Sequence, residues 1–446
     1  MNPLEISEVG EVIRRVRRER GLRLEDLADD NISPATISNI ERGVPHVNID
    51  KIHYLLEKLD LPLDKLPDLM MGKQRELSEL QFKLFSIETL CDIGMIEEAL
   101  EELEQLNLGD NHPFSSFVYY LKGKCYYNKG QWRRAERAFY NGIRLAPQSP
   151  EGKSSNIEAT CYYYLALCSE AKNRLEQTIR MADSGIEAFI PDEGRQQVYY
   201  DLIYRKALSL RKLGRLGEAT KAIEQIWNDI DKMENTSTVI GLYTLRSELA
   251  SRSGIYADAI QYAEEGLEIA RVNQDFSGMF DLWSVLGSIY TSQKNWNKAE
   301  SCLKMAAYLR DKVSNNDELV RTYIRLGILY INQEKWDEGH EVLTKAIEIG
   351  KTLNDVRHLT DALNTMGVYY QQQNKDSEAI PYYEEALELA QKYNYKHRAH
   401  KALFNLAKSW ENLDKERFHF YLENMYRVQQ ELKTDEDPSF DQELHY

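Results

Sequence analysis

Four places in the sequence gather residue types that can do chemistry, and each lacks a partner that the chemistry needs. The segment EGKSS, beginning at Glu151, looks like the end of a phosphate-cradling loop, but the earlier glycine that such a loop requires is replaced by Pro147. His340 and Glu341 begin a zinc-protease helix, yet Thr344 stands where the second histidine belongs. His397 and His400 share a helix face, but two imidazoles without a third donor do not make a zinc site. The five cysteines (Cys91, Cys125, Cys161, Cys168 and Cys302) are odd in number and widely spaced, with no Cys-x-x-Cys pair. Disulfide and zinc readings both fail on that spacing, and small buried hydrophobes remain. With no GxSxG or GxGxxG anywhere, no catalytic residue, metal or cofactor is expected, and the chain is not expected to be an enzyme.

The elements around these residues explain the silence. The chain has 446 residues, 42% hydrophobic and 29% charged, which is ordinary globular composition spread over more than one core. Tyrosine is abundant at 28 residues and proline scarce at 11, a balance that suits long unbroken helices. No apolar run of membrane-spanning length exists and the N-terminus has no signal-peptide core, so a cytoplasmic protein without a membrane partner is expected. A net charge of −16 repels nucleic acid at long range, so any DNA binding must come from a local basic surface.

Self-similarity dominates the remainder. DLWSVLGSIYTSQKNWNKAESCLKMA from Asp281, RTYIRLGILYINQEKWDEGHEVLTKA from Arg321 and DALNTMGVYYQQQNKDSEAIPYYEEA from Asp361 align in steps of 40 residues. Gly287, Gly327 and Gly367 keep that step, as do Tyr290, Tyr330 and Tyr370, and Ala306, Ala346 and Ala386. It extends back through Ser247 and Ala207 and forward to Ala407, with looser copies around Gly123 and Ala166 and a first copy from Ser86. Each copy reads as two amphipathic helices with a polar turn; one hairpin cannot bury its apolar face, and stacking neighbours does, giving a superhelix with a concave inner wall. The pattern resembles the tetratricopeptide repeat (TPR), stretched beyond its usual period of about 34 residues. The resemblance covers roughly 76–432.

Residues 6–66 obey another pattern. Val9, Ile13 and Val16 mark one face of a first helix ending at Gly21, and Leu24, Leu27 and Ala28 mark a short second one. Ser33 is a good N-cap with Pro34 at the first helical position, so a third helix runs from Pro34 to Arg42 and stops at Gly43. Ile37 and Ile40 point inward; a fourth helix carries Ile49, Ile52, Leu55, Leu56 and Leu59. The segment RRVRRERGLRLEDLADDNISPATISNIERG resembles the XRE, or lambda-repressor-like, helix-turn-helix family. That resemblance makes Pro34–Arg42 the recognition helix, with Ala35, Thr36, Asn39 and Arg42 facing the major groove, where asparagine bonds adenine and a threonine methyl touches thymine. It also pairs Arg17 with Glu41. Arg14, Arg15, Arg17, Arg18, Arg20 and Arg23 concentrate the positive charge, with Arg18 and Arg23 the candidates for phosphate contact. Two features depart from the family: Leu24 stands where a polar glutamine is common, and residues 1–70 hold 10 Lys/Arg against 14 Asp/Glu, a net of −4. Affinity from one such domain is weak and salt-sensitive, so a dimer reading two half-sites is expected.

The expected architecture is therefore all-α: a helix-turn-helix domain over 1–70, a linker at 71–75, a right-handed superhelical TPR solenoid of about nine hairpins over 76–432, and an acidic tail at 433–446. This pairing resembles the RRNPP group of Gram-positive peptide-pheromone regulators, nearest to its NprR, PlcR and Rap types. The resemblance implies that a short signalling peptide binds inside the superhelix and alters oligomeric state and binding to a double-stranded DNA operator. It also allows an alternative, in which the repeats sequester a response regulator or another protein partner. An extended peptide leaves backbone donors and acceptors unpaired, and a carboxamide answers both. By the family's use of asparagine on the first helix of a repeat, the candidates are Asn364 and Asn405, followed by Asn332, Gln371, Arg205 and Arg325, with Tyr163 and Tyr204 adding apolar contact.

Overall fold

The computed structural model describes residues 3–44, 47–62, 66–309, 312 and 316–432, with side chains described in 9–44, 47–62, 75–309, 312 and 319–432. Among them the regular elements are helical. The chain divides into two compact units, 1–138 and 139–446. The tail expected at 433–446 lies outside the described residues.

The first unit opens with α1 (Pro3–Glu19), α2 (Leu24–Leu27), α3 (Pro34–Glu41) and α4 (Ile49–Lys58). Val9, Ile13 and Val16 of α1 pack with Leu27, Ile37, Ile40, Ile52, Leu55, Leu56 and Leu59 in one core. Ser33 caps α3 as expected: its hydroxyl accepts from the Thr36 N–H and Pro34 takes the first turn. Ile49, carried by the fourth helix as expected, is exposed, because it sits at the first helical position of α4. Residues 71–75, expected as a linker, lie inside a continuous helix, Leu66–Asp92. Residues 71–75 carry one glycine and no proline, so nothing in them stops helix propagation. In the hairpins that follow, the Sγ atoms of the buried Cys91 and Cys125 lie 3.0 Å apart, a meeting of two free thiols that their 34-residue separation conceals.

Nine helical hairpins run from Leu66–Asp92 with Ile96–Gln105 to Lys396–Trp410 with Lys415–Leu432 among the described residues. The stretched period has a simple origin. Thr236–Arg252, Tyr256–Val272, Phe276–Ser292, Trp336–Thr352, Val356–Gln372 and Asp376–Lys392 are each 17 residues long. Three-residue turns separate consecutive helices, so 17 + 3 gives 20 per helix and 40 per hairpin. Gly254, Gln274, Lys294, Glu334, Asn354, Asn374 and Asn394 occupy these turns at steps of 20 or its double, all with positive φ. Each turn closes as a Schellman cap, for instance with Asn295 N–H donating to the Tyr290 carbonyl at 2.8 Å and Lys335 N–H to that of Tyr330 at 2.9 Å.

The small residues of the repeat do what the pattern demands of them. A Cβ at Gly287 would come within 2.6 Å of Leu303 Cγ on the second helix of its hairpin. Ser247 takes the same place one repeat earlier and adds a hydrogen bond, its hydroxyl donating to the Ala259 carbonyl at 2.7 Å. Ala306, Ala346 and Ala386 are fully buried. From Ile157–Ala171 onward the result is a solenoid in which the first helices of successive hairpins neighbour one another.

Candidate functional site

Two surfaces deserve the functional question: the outward face of α3, and the wall formed by the first helices of the hairpins.

On α3, the buried side is closed by an ion pair. Arg17 Nη2 donates to Glu41 Oε2 at 2.8 Å and Nε to Oε1 at 2.5 Å, while Nη1 donates to the Leu22 carbonyl at 2.8 Å. Arg17 is therefore removed from the basic cluster and holds α1 to the end of α3. Arg14, Arg18, Arg20 and Arg23 are exposed, and the half-buried Arg15 reaches Glu19 at 3.9 Å. Ala35 and Arg42 are exposed; Thr36 and Asn39 are half-buried. In the free protein this face satisfies itself: the Thr36 hydroxyl lies 2.8 Å from that of Ser33, and Arg42 Nη2 donates to Asn39 Oδ1 at 2.6 Å. The Asn39 carbonyl oxygen keeps a second lone pair with which it can accept from a base edge.

The wall is built from Gln197–Lys212, Thr236–Arg252, Phe276–Ser292, Asn316–Asn332, Val356–Gln372 and Lys396–Trp410. Between the first four lies a pocket of about 370 Å³, with Tyr204, Gly241, Glu248, Asp281, Arg321 and Arg325 in its lining. Burial raises the Tyr204 phenol to about 12, so it stays neutral. Arg211 and Glu248 pair at 3.1 Å in the same lining. Gly241 is required here, because a Cβ would land on the Tyr204 hydroxyl. Its signal in the sequence is a glycine in the row Gly241, Asp281, Arg321, Asp361, Lys401, taken at steps of 40.

Rows of this kind sort the remaining candidates. Asn364 continues the row of Tyr204, Thr244, Ser284 and Ile324, and Asn405 that of Arg205, Leu245, Val285 and Arg325; apart from Arg205 and Ile324, the row members between 204 and 325 line the pocket. Both asparagines are buried, at 2% and 7% exposure, and neither is satisfied. Asn364 Nδ2 donates to the Thr360 carbonyl at 3.1 Å while its Oδ1 has no partner, and Asn405 Nδ2 has none. Arg205 meets Glu170 at 3.3 Å and bonds to the half-buried Tyr163. Gln371 is turned to the next hairpin, donating to Ser409 Oγ at 3.0 Å. Asn332 is exposed near the end of its helix and donates to its own Ile328 carbonyl at 2.9 Å, away from the pocket rows. Among the described residues, no group of three or more His, Cys, Asp or Glu is placed to hold a metal ion, and no helix is long and apolar enough to cross a membrane.

The helix-turn-helix family matches residues 13–66, and the tetratricopeptide repeat family matches 278–352 and 318–392. No curated protein matches the sequence. Among solved structures, the apo form of RapI is similar at 13% identity and a TM-score of 0.60, over 80% of this chain and 99% of that one. A Rap protein complexed with competence and sporulation factor is similar at 13% identity and a TM-score of 0.56, with the same coverage. A STAND protein with a tetratricopeptide repeat sensor, from Pyrococcus horikoshii, reaches 16% and 0.55 over 96% of this chain and 63% of its own. Fold and matched segments together define a helix-turn-helix domain joined to a tetratricopeptide solenoid. At these identities the likeness carries the fold.

Proposed function

We propose that the protein is a cytoplasmic, peptide-responsive transcription regulator, in which a short linear peptide binds along the wall of the solenoid and alters self-association and DNA binding by α3. The observation that carries this reading is the pair of buried, unsatisfied carboxamides at Asn364 and Asn405, on rows that line a pocket elsewhere. A buried polar group without a partner costs about 1–3 kcal/mol, and an extended backbone supplies the missing donor and acceptor at once. The solved Rap complex with competence and sporulation factor supports such a use of the fold. Peptide that prefers one arrangement of the protein shifts the equilibrium by that preference alone; a hundredfold preference is worth about 2.7 kcal/mol.

DNA is read by Thr36 and Asn39, with Ala35 and Arg42 beside them and Arg18 and Arg23 on phosphates. A dimer supplies the second half-site. Gel shifts against a selected operator test this: Thr36→Ala and Asn39→Ala each lose about 1–3 kcal/mol of site-specific binding, with non-specific binding retained. Equal operator affinity in all three proteins sinks the DNA-reading role. One observation favours a second reading, capture of a protein partner such as a response regulator: the domain over residues 1–70 carries a net of −4, unhelpful to DNA. In that case the protein pulls down its partner while the α3 variants leave every readout unchanged.

A further inference from the structure

Cys91 and Cys125 sit where the helix-turn-helix domain hands over to the repeats. Cys91 lies in the last turn of Leu66–Asp92, the helix that follows that domain, and Cys125 near the end of Ser115–Asn128, the first helix of the next hairpin. Their sulfurs are 3.0 Å apart. A disulfide bond is about 2.0 Å long, so the two atoms need to close by only about 1 Å, within the reach of side-chain rotation.

The surroundings are charged rather than apolar. Lys124, next to Cys125 in the chain and itself buried, meets Asp92 at 2.6 Å and Glu88 at 3.5 Å, and Tyr120 Oη donates to Glu88 at 2.7 Å. The hydrogen bond from Cys125 lowers the Cys91 pKa, and the Lys124 charge adds to that, against burial. The same bond, with burial, pushes the Cys125 thiol up. One sulfur is thus the better nucleophile and the other keeps its proton until it is needed. Cys302, by contrast, is raised by burial to about 11. Both thiols of the pair are buried, at 1% and 0% exposure, but Cys91 is one residue from solvent: Asp92, Ile93, Gly94 and Met95 are all exposed. Helix ends open at little free-energy cost, so a small oxidant reaches this sulfur without global unfolding.

We propose that Cys91 and Cys125 are a dithiol that a peroxide closes into a disulfide, bolting the end of Leu66–Asp92 to the second hairpin. The Cys91 thiolate attacks one peroxide oxygen; the O–O bond breaks, the sulfur becomes a sulfenic acid, and the departing hydroxide takes up the thiol's proton as water. Cys125 then attacks the sulfenic sulfur; the S–O bond breaks, and hydroxide leaves with the Cys125 proton as a second water. The two sulfurs together give up two electrons, and one peroxide is reduced to two waters. In a reducing compartment the pair rests as thiols and closes only under oxidative load. Closure holds a helix end that otherwise frays, and so stiffens the junction between the helix-turn-helix domain and the repeats. This chemistry does not depend on the peptide reading.

The test exposes the reduced, full-length protein to graded hydrogen peroxide, then blocks free thiols under denaturing conditions and maps peptides without reductant. The expected result is loss of two of the five thiols, a linked pair of peptides carrying Cys91 and Cys125, and recovery of both thiols with reductant, at doses that leave Cys161, Cys168 and Cys302 reduced. Cys125→Ala removes the resolving thiol, so the Cys91 sulfenic acid persists and a dimedone probe captures it. Its thiolate advantage, less the nucleophilicity that a lower pKa forfeits, makes that capture roughly tenfold faster than at Cys302. Amide exchange over 88–95 slows about tenfold on oxidation of the wild type and is unchanged by the same treatment of Cys125→Ala. Other pairings, thiol loss spread evenly over the five cysteines, or oxidation that requires denaturant overturns the proposal. A Cys91–Cys125 bond that leaves exchange over 88–95 unaltered overturns the stiffening of the junction.

Discussion

The helix-turn-helix core and the far end of the solenoid wall treat buried polarity in opposite ways. Around α3 the books are closed: Arg17 spends three donors on Glu41 and Leu22, and among the described residues of 9–62 no buried side-chain polar atom lacks a partner. In 356–410, Asn364 Oδ1, Tyr383 Oη, Arg398 Nε, His400 Nε2, Asn405 Nδ2 and Trp410 Nε1 are all buried and all unmatched. Each such atom weakens the fold, so a region that keeps six of them retains them for a reason other than stability. The contrast teaches where to look for function in each half. In the first it lies on the exposed face of a finished domain; in the second it lies in what the structure leaves undone.

The comparison can be broken most sharply at the closed end. Glu41→Ala strands the buried Arg17 guanidinium, and loss of one partner of such a pair costs about 3–5 kcal/mol. The expected outcome is a helix-turn-helix domain that melts well below wild type in a proteolysis or thermal scan while the solenoid transition stays in place. A melt of unchanged midpoint refutes the closed-core account. At the open end the sign reverses: Asn405→Leu removes an unmatched amide and raises the stability of the ligand-free solenoid by about 1 kcal/mol, while retention of peptides falls. A variant that loses stability as well shows that Asn405 is structural. The smallest effect is on pH. Burial, aided by His397, lowers the His400 pKa, so the folded state favours neutral imidazole. Its contribution is present above the ordinary histidine value of about 6.5 and is lost as pH falls below it. His400→Gln therefore flattens the acid side of a melting-temperature profile; an identical slope in both proteins discards the assignment.

Much of this was legible beforehand because it is local or periodic. Ser33 before Pro34 announces α3, and Gly287, Gly327 and Gly367 mark close helix approach whatever the neighbours are. The ion pair of Arg17 and Glu41 came through resemblance, since 24 intervening residues hide it from any local pattern. Charged residues were the weak point. Nothing in the sequence marks Asp361 and Arg398 as a buried pair, because amphipathic spacing names a face without naming what packs against it. The same reason conceals Gly241, whose need for space is set by Tyr204 one hairpin away, and the meeting of Cys91 with Cys125. The expected linker at 71–75 failed for a plainer cause: a domain boundary was inferred from a change of pattern, and a helix can run across such a change without interruption.

The regular hairpin rhythm of the solenoid also acts as a measuring stick. Five steps separate the first helix bearing Arg205 from the one bearing Asn405. At roughly 8–10 Å per packed helix and about 3.3–3.6 Å per extended residue, an occupant touching both would need to be roughly 12–15 residues long. A shorter peptide lies over two or three helices and chooses one station. Footprints mapped at Tyr204 and at Asn405 then report different occupants, or different stretches of one longer chain.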